Sequence, residues 1–447
     1  MSGSILVVGV GINNRPLLNY FGDRGVPVVA ADRMAPEQYQ GPLDPRVRWC
    51  FGPDYLEQAR RFGPYEEVYL TPGMIKRQPG VLALLQNETR LTCETDLFLK
   101  NCPAPVIGIT GSAGKTTTTS LVGAILRQDG SRPVYVGGNI GESLLPELSR
   151  ISPDSWVVME LSSFQLELTD TSPHGAAVLN LAPNHLDIHP SYEAYAEAKS
   201  HIFQHQSSSD WLVLPEPPPP LLVPALAQHQ GRRLGFGVGE PVSRGAYAAD
   251  GAIRWAGGGA ERTVMPISEW RLPGRMNLRN ACAATTLALA AGARLEAVRE
   301  ALCTFTGVPH RLEVVREHGG VRYVNDSIAT APDRTLAALE ALEGPLIVIL
   351  GGYDKHLDYA ELGRALTDRV RVAVVLGETG PAIARAIGPG PMVLEAKSLE
   401  EAVVLARRQA REGDTVLLSP AAASYDMFRN FEERGERFRT LVHDLDA

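Results

Sequence analysis

Val106-Ile-Gly-Ile-Thr-Gly-Ser-Ala-Gly-Lys-Thr-Thr117 sets a lysine and two hydroxyl side chains behind an apolar strand and a run of small residues. The small residues Gly111, Ser112, Ala113 and Gly114 let backbone N–H groups converge on phosphate oxygens, and Lys115-Thr116-Thr117 opens a helix whose N-terminus adds positive potential. From there Lys115 can reach β- and γ-phosphates, and the Thr116 hydroxyl can ligate Mg²⁺. The usual phosphate loop has glycine where this chain has Ile109. Strand, loop, lysine and hydroxyl still fall in order, so an ATP site is expected.

Other candidates lie at strand ends. Trp156-Val-Val-Met-Glu160 ends on a carboxylate, a usual place for a Mg²⁺ ligand beside a phosphate loop. Asn180-Leu-Ala-Pro-Asn-His-Leu-Asp187 follows the next strand and presents His185 and Asp187. Lys199 lies on an amphipathic helical stretch; by residue type alone it reads as a solvated lysine. At the N-terminus Ile5-Leu-Val-Val-Gly-Val-Gly11 is a strand with a Gly-x-Gly turn, and Asp32 ends the next strand. This suits the start of a dinucleotide unit, in which the acid takes a ribose hydroxyl, but Asn14 stands where the third glycine belongs. A plain tight turn and a nucleotide-containing substrate both remain open. In the last third, Val324-Asn-Asp-Ser-Ile-Ala-Thr330, Leu350-Gly-Gly-Tyr-Asp-Lys355 and Ser419-Pro-Ala-Ala-Ala-Ser-Tyr-Asp426 also follow strands, where α/β sheets bind ligands.

Positioning these residues requires parallel sheets. Short, unalternating, β-branched runs are expected as strands over Ile5–Val8, Val26–Ala30, Val68–Leu70, Val106–Thr110, Trp156–Glu160 and Ala176–Leu179. A second set covers Leu346–Leu350, Val372–Leu376, Met392–Leu394 and Thr415–Leu418. Helical patterns over Lys115–Gln128, Tyr192–Phe203, Asn280–Ala291 and Leu399–Arg411 alternate with them, which predicts doubly wound α/β sheets. Breaks at Asn101-Cys-Pro-Ala-Pro105 and Thr306-Gly-Val-Pro309 predict domains over 1–103, 104–306 and 307–447. Pro215–Pro224 contains four consecutive prolines and predicts a surface excursion, neither helix nor central strand. The Gly-rich stretch Leu234–Thr263 predicts an antiparallel appendage. No repeat of solenoid period is present.

Composition narrows the class. The chain has 447 residues, enough for about three domains. Its formal charge of −8 disfavours nucleic acid as a partner. Five scattered cysteines (50, 93, 102, 282, 303) without a CxxC fit a reducing compartment and no thiolate metal site. Met1-Ser-Gly-Ser leads straight into a strand pattern, and no apolar run reaches the ~20 residues of a membrane span. A cytoplasmic, monomeric protein without membrane insertion is expected.

In order along nearly the whole chain, Thr110-Gly-Ser-Ala-Gly-Lys-Thr-Thr-Thr-Thr119, Gly137-Gly-Asn-Ile-Gly141, Glu160-Leu-Ser-Ser-Phe-Gln165, the Asn-His-Leu-Asp run, Leu272-Pro-Gly-Arg-Met-Asn277, His310-Arg311, Asn325-Asp-Ser327, Ser419–Ser424 and Asn430-Phe-Glu432 resemble the Mur ligase family of peptidoglycan-precursor enzymes. Gly-Gly-Asn-Ile-Gly and Ser-Pro-Ala-x-Ala-Ser are similar to its glutamate-adding branch. The resemblance implies an N-terminal Rossmann-like domain for a UDP-sugar, a central ATPase-like parallel sheet, and a Rossmann-like C-terminal domain for the amino acid. It implies Mg²⁺ on Thr116, Glu160, His185 and a carbamylated Lys199. It implies ATP contacts from residues 111–117 and from Asn277, Asn280, Arg311 and Asp326. UDP-sugar contacts fall on Ile12, Asn13, Asp32, Arg33, Thr71 and Asn139, and glutamate contacts on Thr330, Lys355, Ser424 and Phe431.

The implied reaction is ATP-dependent amide formation between UDP-N-acetylmuramoyl-L-alanine and glutamate through an acyl phosphate. One departure concerns the amino acid. The common Asn-Asp-Ser-Lys-Ala-Thr is here Asn325-Asp-Ser-Ile328-Ala-Thr330. A branch that adds L-glutamate, with a separate epimerase acting later, is similar in lacking this lysine, so L-glutamate stands as an alternative to D-glutamate. Folylpolyglutamate synthases share the phosphate loop and the modified lysine but lack a domain like residues 1–103. A nucleotide-regulated binding protein without ligase activity would not need Glu160, His185 and Lys199 together.

Overall fold

The computed structural model describes every residue except 1–3, 12, 13, 40, 86–88, 140–142, 187, 258, 273, 356, 446 and 447. The chain divides into two compact units, Met1–Phe305 and Thr306–Ala447. Among the described residues the first unit carries two sheets and the second carries one.

The N-terminal sheet is parallel throughout, in the order Val47–Phe51, Val28–Asp32, Ile5–Val8, Glu67–Leu70 and Arg90–Thr92. All four residues of Ile5–Val8 are buried, as in a strand covered on both faces. The second strand begins at Val28, later than the expected Val26, and ends on Asp32.

The central sheet has its parallel core in the order Val134–Gly138, Trp156–Glu160, Val106–Thr110, Gly175–Val178, Trp211–Pro215, Arg232–Val238 and Gly245–Ala249. Ala252–Gly257 and Ala260–Pro266 then continue it antiparallel. The expected antiparallel appendage over Leu234–Thr263 is therefore half wrong: its first two strands pair in parallel. The proline stretch also differs from expectation. Pro215 closes a strand inside the sheet, paired with Phe236. Pro220–Leu222 is a 3₁₀ turn, followed by a helical turn over Val223–Leu226. Proline is permitted at the end of a strand and in the first turn of a helix, where its missing N–H has no partner to lose.

Helix Lys115–Asp129 starts after Gly114 and stops at Gly130, both left-handed with φ of 83° and 69°. Leu121, Val122 and Ile125 of this helix join Ala281, Ala284 and Leu287 of helix Arg275–Ala290 in one buried core over the sheet. Each large side chain buried there contributes about 2 kcal/mol. The second helix begins at Arg275, well before the expected Asn280, so Asn277 lies in its first turn.

Residues 1–103 are tied to the central sheet by charge. Arg90 bonds Glu67 at 2.7 Å, Asp170 at 3.0 Å and also Asp96, while Lys76 reaches Glu167 at 2.9 Å. Glu94, at the start of helix Glu94–Asn101, is 8% exposed and accepts the Ser143 hydroxyl at 2.6 Å. Burial pushes its carboxyl up from 4.5 to about 7. The folded chain thus holds this proton more tightly than the unfolded one. That stabilisation is complete below pH 4.5 and is lost as pH rises through 7. Between pH 5 and 8 the wild type is expected to lose roughly 3 kcal/mol that Glu94→Gln does not lose. Urea unfolding across this range checks it, and parallel profiles for the two proteins would refute it.

The sheet of the second unit runs Glu313–His318, Val321–Asn325, Thr415–Leu418, Leu346–Gly351, Val370–Leu376 and Met392–Glu395, parallel except for its first strand. The loops after Asn325, Gly351 and Leu418 leave the same end of this sheet, because their strands are parallel neighbours. Among the described residues no helix is long and apolar enough to cross a membrane.

Candidate active site

The phosphate loop leaves the middle of the central sheet and is braced from two sides. Asn180 accepts the Ala113 N–H at 2.9 Å and donates to the Ala113 carbonyl at 2.8 Å. The Ser112 hydroxyl donates to the Ala182 carbonyl at 2.9 Å and lies 3.1 Å from the Tyr195 hydroxyl. Gly114 is left-handed, and a Cβ there would collide with Oδ1 of the buried Asn280. Asn280 is thereby brought against the loop, while Asn277 stands one helical turn before it. Lys115 donates to the Gly111 carbonyl at 3.0 Å.

Glu160 lies on the adjacent strand and is 3% exposed. One carboxylate oxygen accepts the Thr116 hydroxyl at 2.8 Å and the other accepts Asn139 Nδ2 at 2.9 Å. Asn139 is held there by Gly138, whose φ of 96° and lack of a Cβ allow it to pass against the Glu160 carbonyl. The Gly-Gly-Asn spacing thus has a steric cause.

Lys199 overturns the solvated reading. It is 1% exposed, and its amine donates to Thr110 Oγ1 and the Gly111 carbonyl, both at 3.2 Å. It sits 4.6 Å from the Tyr195 ring centroid. Burial, reinforced by the Lys115 charge and opposed by Glu160, holds its ammonium well below the ordinary lysine range. A neutral amine is a nucleophile, so this lysine is prepared for chemistry an exposed one would resist.

His185 is exposed on a loop and takes a left-handed φ of 55°. Its ring centroid lies 5.0 Å from Phe164 and 6.5 Å from Tyr195. Asp187 lies outside the described residues. Sequence reasoning passed over Asn180, Tyr195 and His189. His189 is buried, stacks on Phe164 and bonds Ser163 at 3.0 Å. Their one-dimensional signal is slight, since each acts by bracing a neighbour distant in sequence.

In the N-terminal sheet, Ile12 and Asn13 lie outside the described residues. Asp32 accepts the Val10 N–H at 2.8 Å and the Met34 N–H at 3.0 Å, so it shapes the turn itself. Arg33 is exposed. Thr71 packs on Gly9, whose φ of 81° lets the strand end approach it. Asn14 folds back to donate to the Val8 carbonyl at 3.2 Å, which accounts for its place in the glycine pattern.

Within the second unit, Asp326 is buried, accepts the Ser419 hydroxyl at 2.8 Å and the Leu312 N–H at 3.2 Å. Burial raises its carboxyl to about 6, against the pull of these hydrogen bonds and of Arg311. Arg311 and Asp326 are therefore near each other. Thr330 lies just before helix Pro332–Ala341, whereas Ser424 lies midway along the loop between strand Thr415–Leu418 and helix Phe431–His443 and is 2% exposed. Phe431 opens the last helix, with its ring 6.3 Å from His310. Lys355 is exposed and stands 6.0 Å from the Tyr425 ring.

Profile comparison matches residues 109–288 to the Mur ligase middle domain and residues 310–422 to the Mur ligase glutamate ligase domain. The UDP-N-acetylmuramoylalanine–D-glutamate ligase of Symbiobacterium thermophilum is 43% identical over 98% of this chain and 97% of its own. The chain belongs to the Mur ligase family. As a Mur ligase it is an ATP-dependent amide ligase. The equally named protein of Acetivibrio thermocellus is 38% identical over 99% of this chain and 97% of its own. Solved Mur ligases share the fold. MurF of Thermotoga maritima in complex with ADP matches with a TM-score of 0.55 at 18% identity, over 99% of this chain and 95% of that one. E. coli FolC with ADP matches with 0.55 at 18% identity but covers 79% of this chain and 93% of its own.

Proposed function

We propose that this Mur ligase joins D-glutamate to UDP-N-acetylmuramoyl-L-alanine in the cytoplasm, acting as a single chain. The observation that carries the reading is the cluster at the phosphate loop, where Lys115 and Lys199 both donate to the Gly111 carbonyl and Thr116 bonds Glu160, in a chain that matches D-glutamate ligases over 98–99% of its length. Those relatives are named for the D-isomer, and the L-glutamate alternative raised by Ile328 is not favoured.

The substrate carboxylate attacks the γ-phosphate of ATP; an acyl phosphate forms and ADP leaves. The glutamate amine attacks the acyl carbon, phosphate departs, and an amide and a proton result. Lys115 neutralises phosphate charge, and the braced loop holds the phosphates in line. Asn277 and Asn280 contact the nucleotide from the first unit; for Arg311 and Asp326 a nucleotide role rests on the family resemblance. Thr71, Asp32, Arg33 and Asn139 orient the UDP-sugar. Thr330, Lys355, Ser424 and Phe431 receive the glutamate.

Among the described residues no cluster of three or more His, Cys, Asp or Glu side chains could hold a metal alone. The Glu160 carboxylate and Thr116 hydroxyl, 2.8 Å apart, nevertheless fit Mg²⁺, which prefers a few hard oxygens and leaves the remaining positions to water and phosphate. Glu160 and Thr116 would hold it, joined by His185 and by Lys199 as its carbamate. Bound there, Mg²⁺ supplies charge neutralisation on the phosphate oxygens.

Phosphate release from ATP with Mg²⁺ and UDP-N-acetylmuramoyl-L-alanine tests the reading. Turnover is expected with D-glutamate and at least ~100-fold less with L-glutamate, as when one misplaced substrate group leaves site polar groups unpaired. Turnover with L-glutamate alone would restore the alternative and its epimerase. Silence with both would reject the reading.

A further inference from the structure

Arg434 lies in the first turns of helix Phe431–His443 and is 2% exposed. Its guanidinium reaches out of that helix beneath two strand-end loops. Nε donates to the Ser327 hydroxyl at 3.0 Å and one terminal nitrogen donates to the Ser327 carbonyl at 2.9 Å. The other terminal nitrogen donates to the carbonyls of Ala422 and Ala423 at 3.1 Å and 3.2 Å. Ser327 passes the link on, its hydroxyl donating to the Phe431 carbonyl at 2.8 Å. A third loop is joined through Ala423, whose carbonyl accepts the Tyr353 N–H at 2.9 Å, and Gly352 passes against the same carbonyl because it has no Cβ. One side chain thus ties together the segments that carry Thr330, Lys355, Ser424 and Phe431.

Its electrostatics are unusual. Among the described residues no carboxylate lies within ion-pair distance of Arg434; Asp426 acts on it only from farther off. Burial lowers the guanidinium to about 10, so it stays charged at neutral pH. A buried, unpaired cation costs several kcal/mol unless hydrogen bonds or a bound anion offset it. Here every partner is a neutral oxygen. The residual positive potential lies under loops that, on the reading above, receive an amino acid with two carboxylates.

We propose that Arg434 is a positioning residue for the amino-acid substrate: it sets the spacing of the receiving loops through its planar fork and supplies the uncompensated positive charge beneath them. Lysine cannot replace it, because a single ammonium cannot span Ser327 and Ala422–Ala423 at once.

This rests on the glutamate-ligase reading and divides the reaction in two. Acyl-phosphate formation precedes amino-acid attack, so it should not need Arg434. Arg434→Lys and Arg434→Met are compared with wild type in full turnover and in acyl-phosphate formation without glutamate, trapped by hydroxylamine. For Arg434→Lys we expect KM for glutamate at least tenfold higher, KM for ATP within twofold, and trapped acyl phosphate at the wild-type level. Arg434→Met should raise KM for glutamate further. Equal losses in trapping and turnover, or an unchanged KM for glutamate in a folded variant, would overturn the inference. Should Arg434→Met not fold, Arg434→Lys decides alone. Should wild type itself not turn over glutamate, the functional reading fails, an outcome separate from any result on the variants.

Discussion

Lys199→Ala is expected to lower turnover by ~10²–10³-fold while leaving the chain folded, with part of the rate restored by formate, acetate or propionate. The magnitude follows from the loss of a preorganised charge at phosphoryl transfer, where single groups are worth about 10²–10³ in rate. The reason for the rescue is geometric. Lys199 is buried beside Thr110 and the Gly111 carbonyl, and burial with the Lys115 charge holds its amine toward the neutral form. A neutral amine adds to CO₂: a C–N bond forms, one proton is released, and a carbamate anion replaces the neutral amine. Truncation to alanine removes the whole arm and leaves a hollow lined by Thr110, Gly111 and Tyr195 that a short carboxylate can fill. Lys199→Arg, which cannot form a carbamate, should be inactive and show no rescue. Full activity of the alanine variant would refute the carbamate role. Loss without rescue, together with cooperative unfolding at a much lower temperature, would make Lys199 a structural residue.

Glu160→Gln is expected to cut turnover by ~10²–10³-fold and to raise the Mg²⁺ concentration at half-maximal rate by at least tenfold. Glutamine keeps the shape and can still meet Thr116 through its oxygen, but the negative charge is gone. Its amide would also face Asn139 Nδ2, turning an accepted hydrogen bond into a clash of donors unless the amide flips. The two effects separate experimentally. Charge loss appears as a shift in the Mg²⁺ titration, and the donor clash appears as a change at every Mg²⁺ concentration. An unaltered Mg²⁺ titration would remove Glu160 from the metal site. The same variant should bind ADP without Mg²⁺ about as well as wild type, because Lys115 and the loop remain.

Much of this molecule was written locally. A strand running into Gly-Ser-Ala-Gly-Lys-Thr is determined by neighbours in sequence: small residues for the loop, a left-handed glycine at 114, and a helix beginning with the lysine. The strand ends that carry Glu160, Asp326 and Ser419 were legible for the same reason, because unbroken β-branched runs mark buried parallel strands and the residues at their ends must sit at the ligand edge. Proline 215 and the parallel strands over 232–249 were misread because pairing direction depends on which strand lies alongside, which no local pattern encodes.

Burial and long-range contact were decided in three dimensions. By residue type alone Lys199 reads as a surface side chain, and only the family resemblance points elsewhere; the closing of helix Tyr192–Gln204 over Thr110 and Gly111 strips it of water and changes its chemistry. Asn180 braces a loop 67 residues earlier, and Arg434 binds Ser327 from 107 residues away. Their roles arise from distance in space rather than from type or spacing. The sequence alone therefore determined which groups stand at the sheet edges, through periodicity and turn chemistry. The tertiary structure decided which of them lose water and which distant residues hold them, because desolvation and hydrogen-bond geometry exist only once the layers have packed.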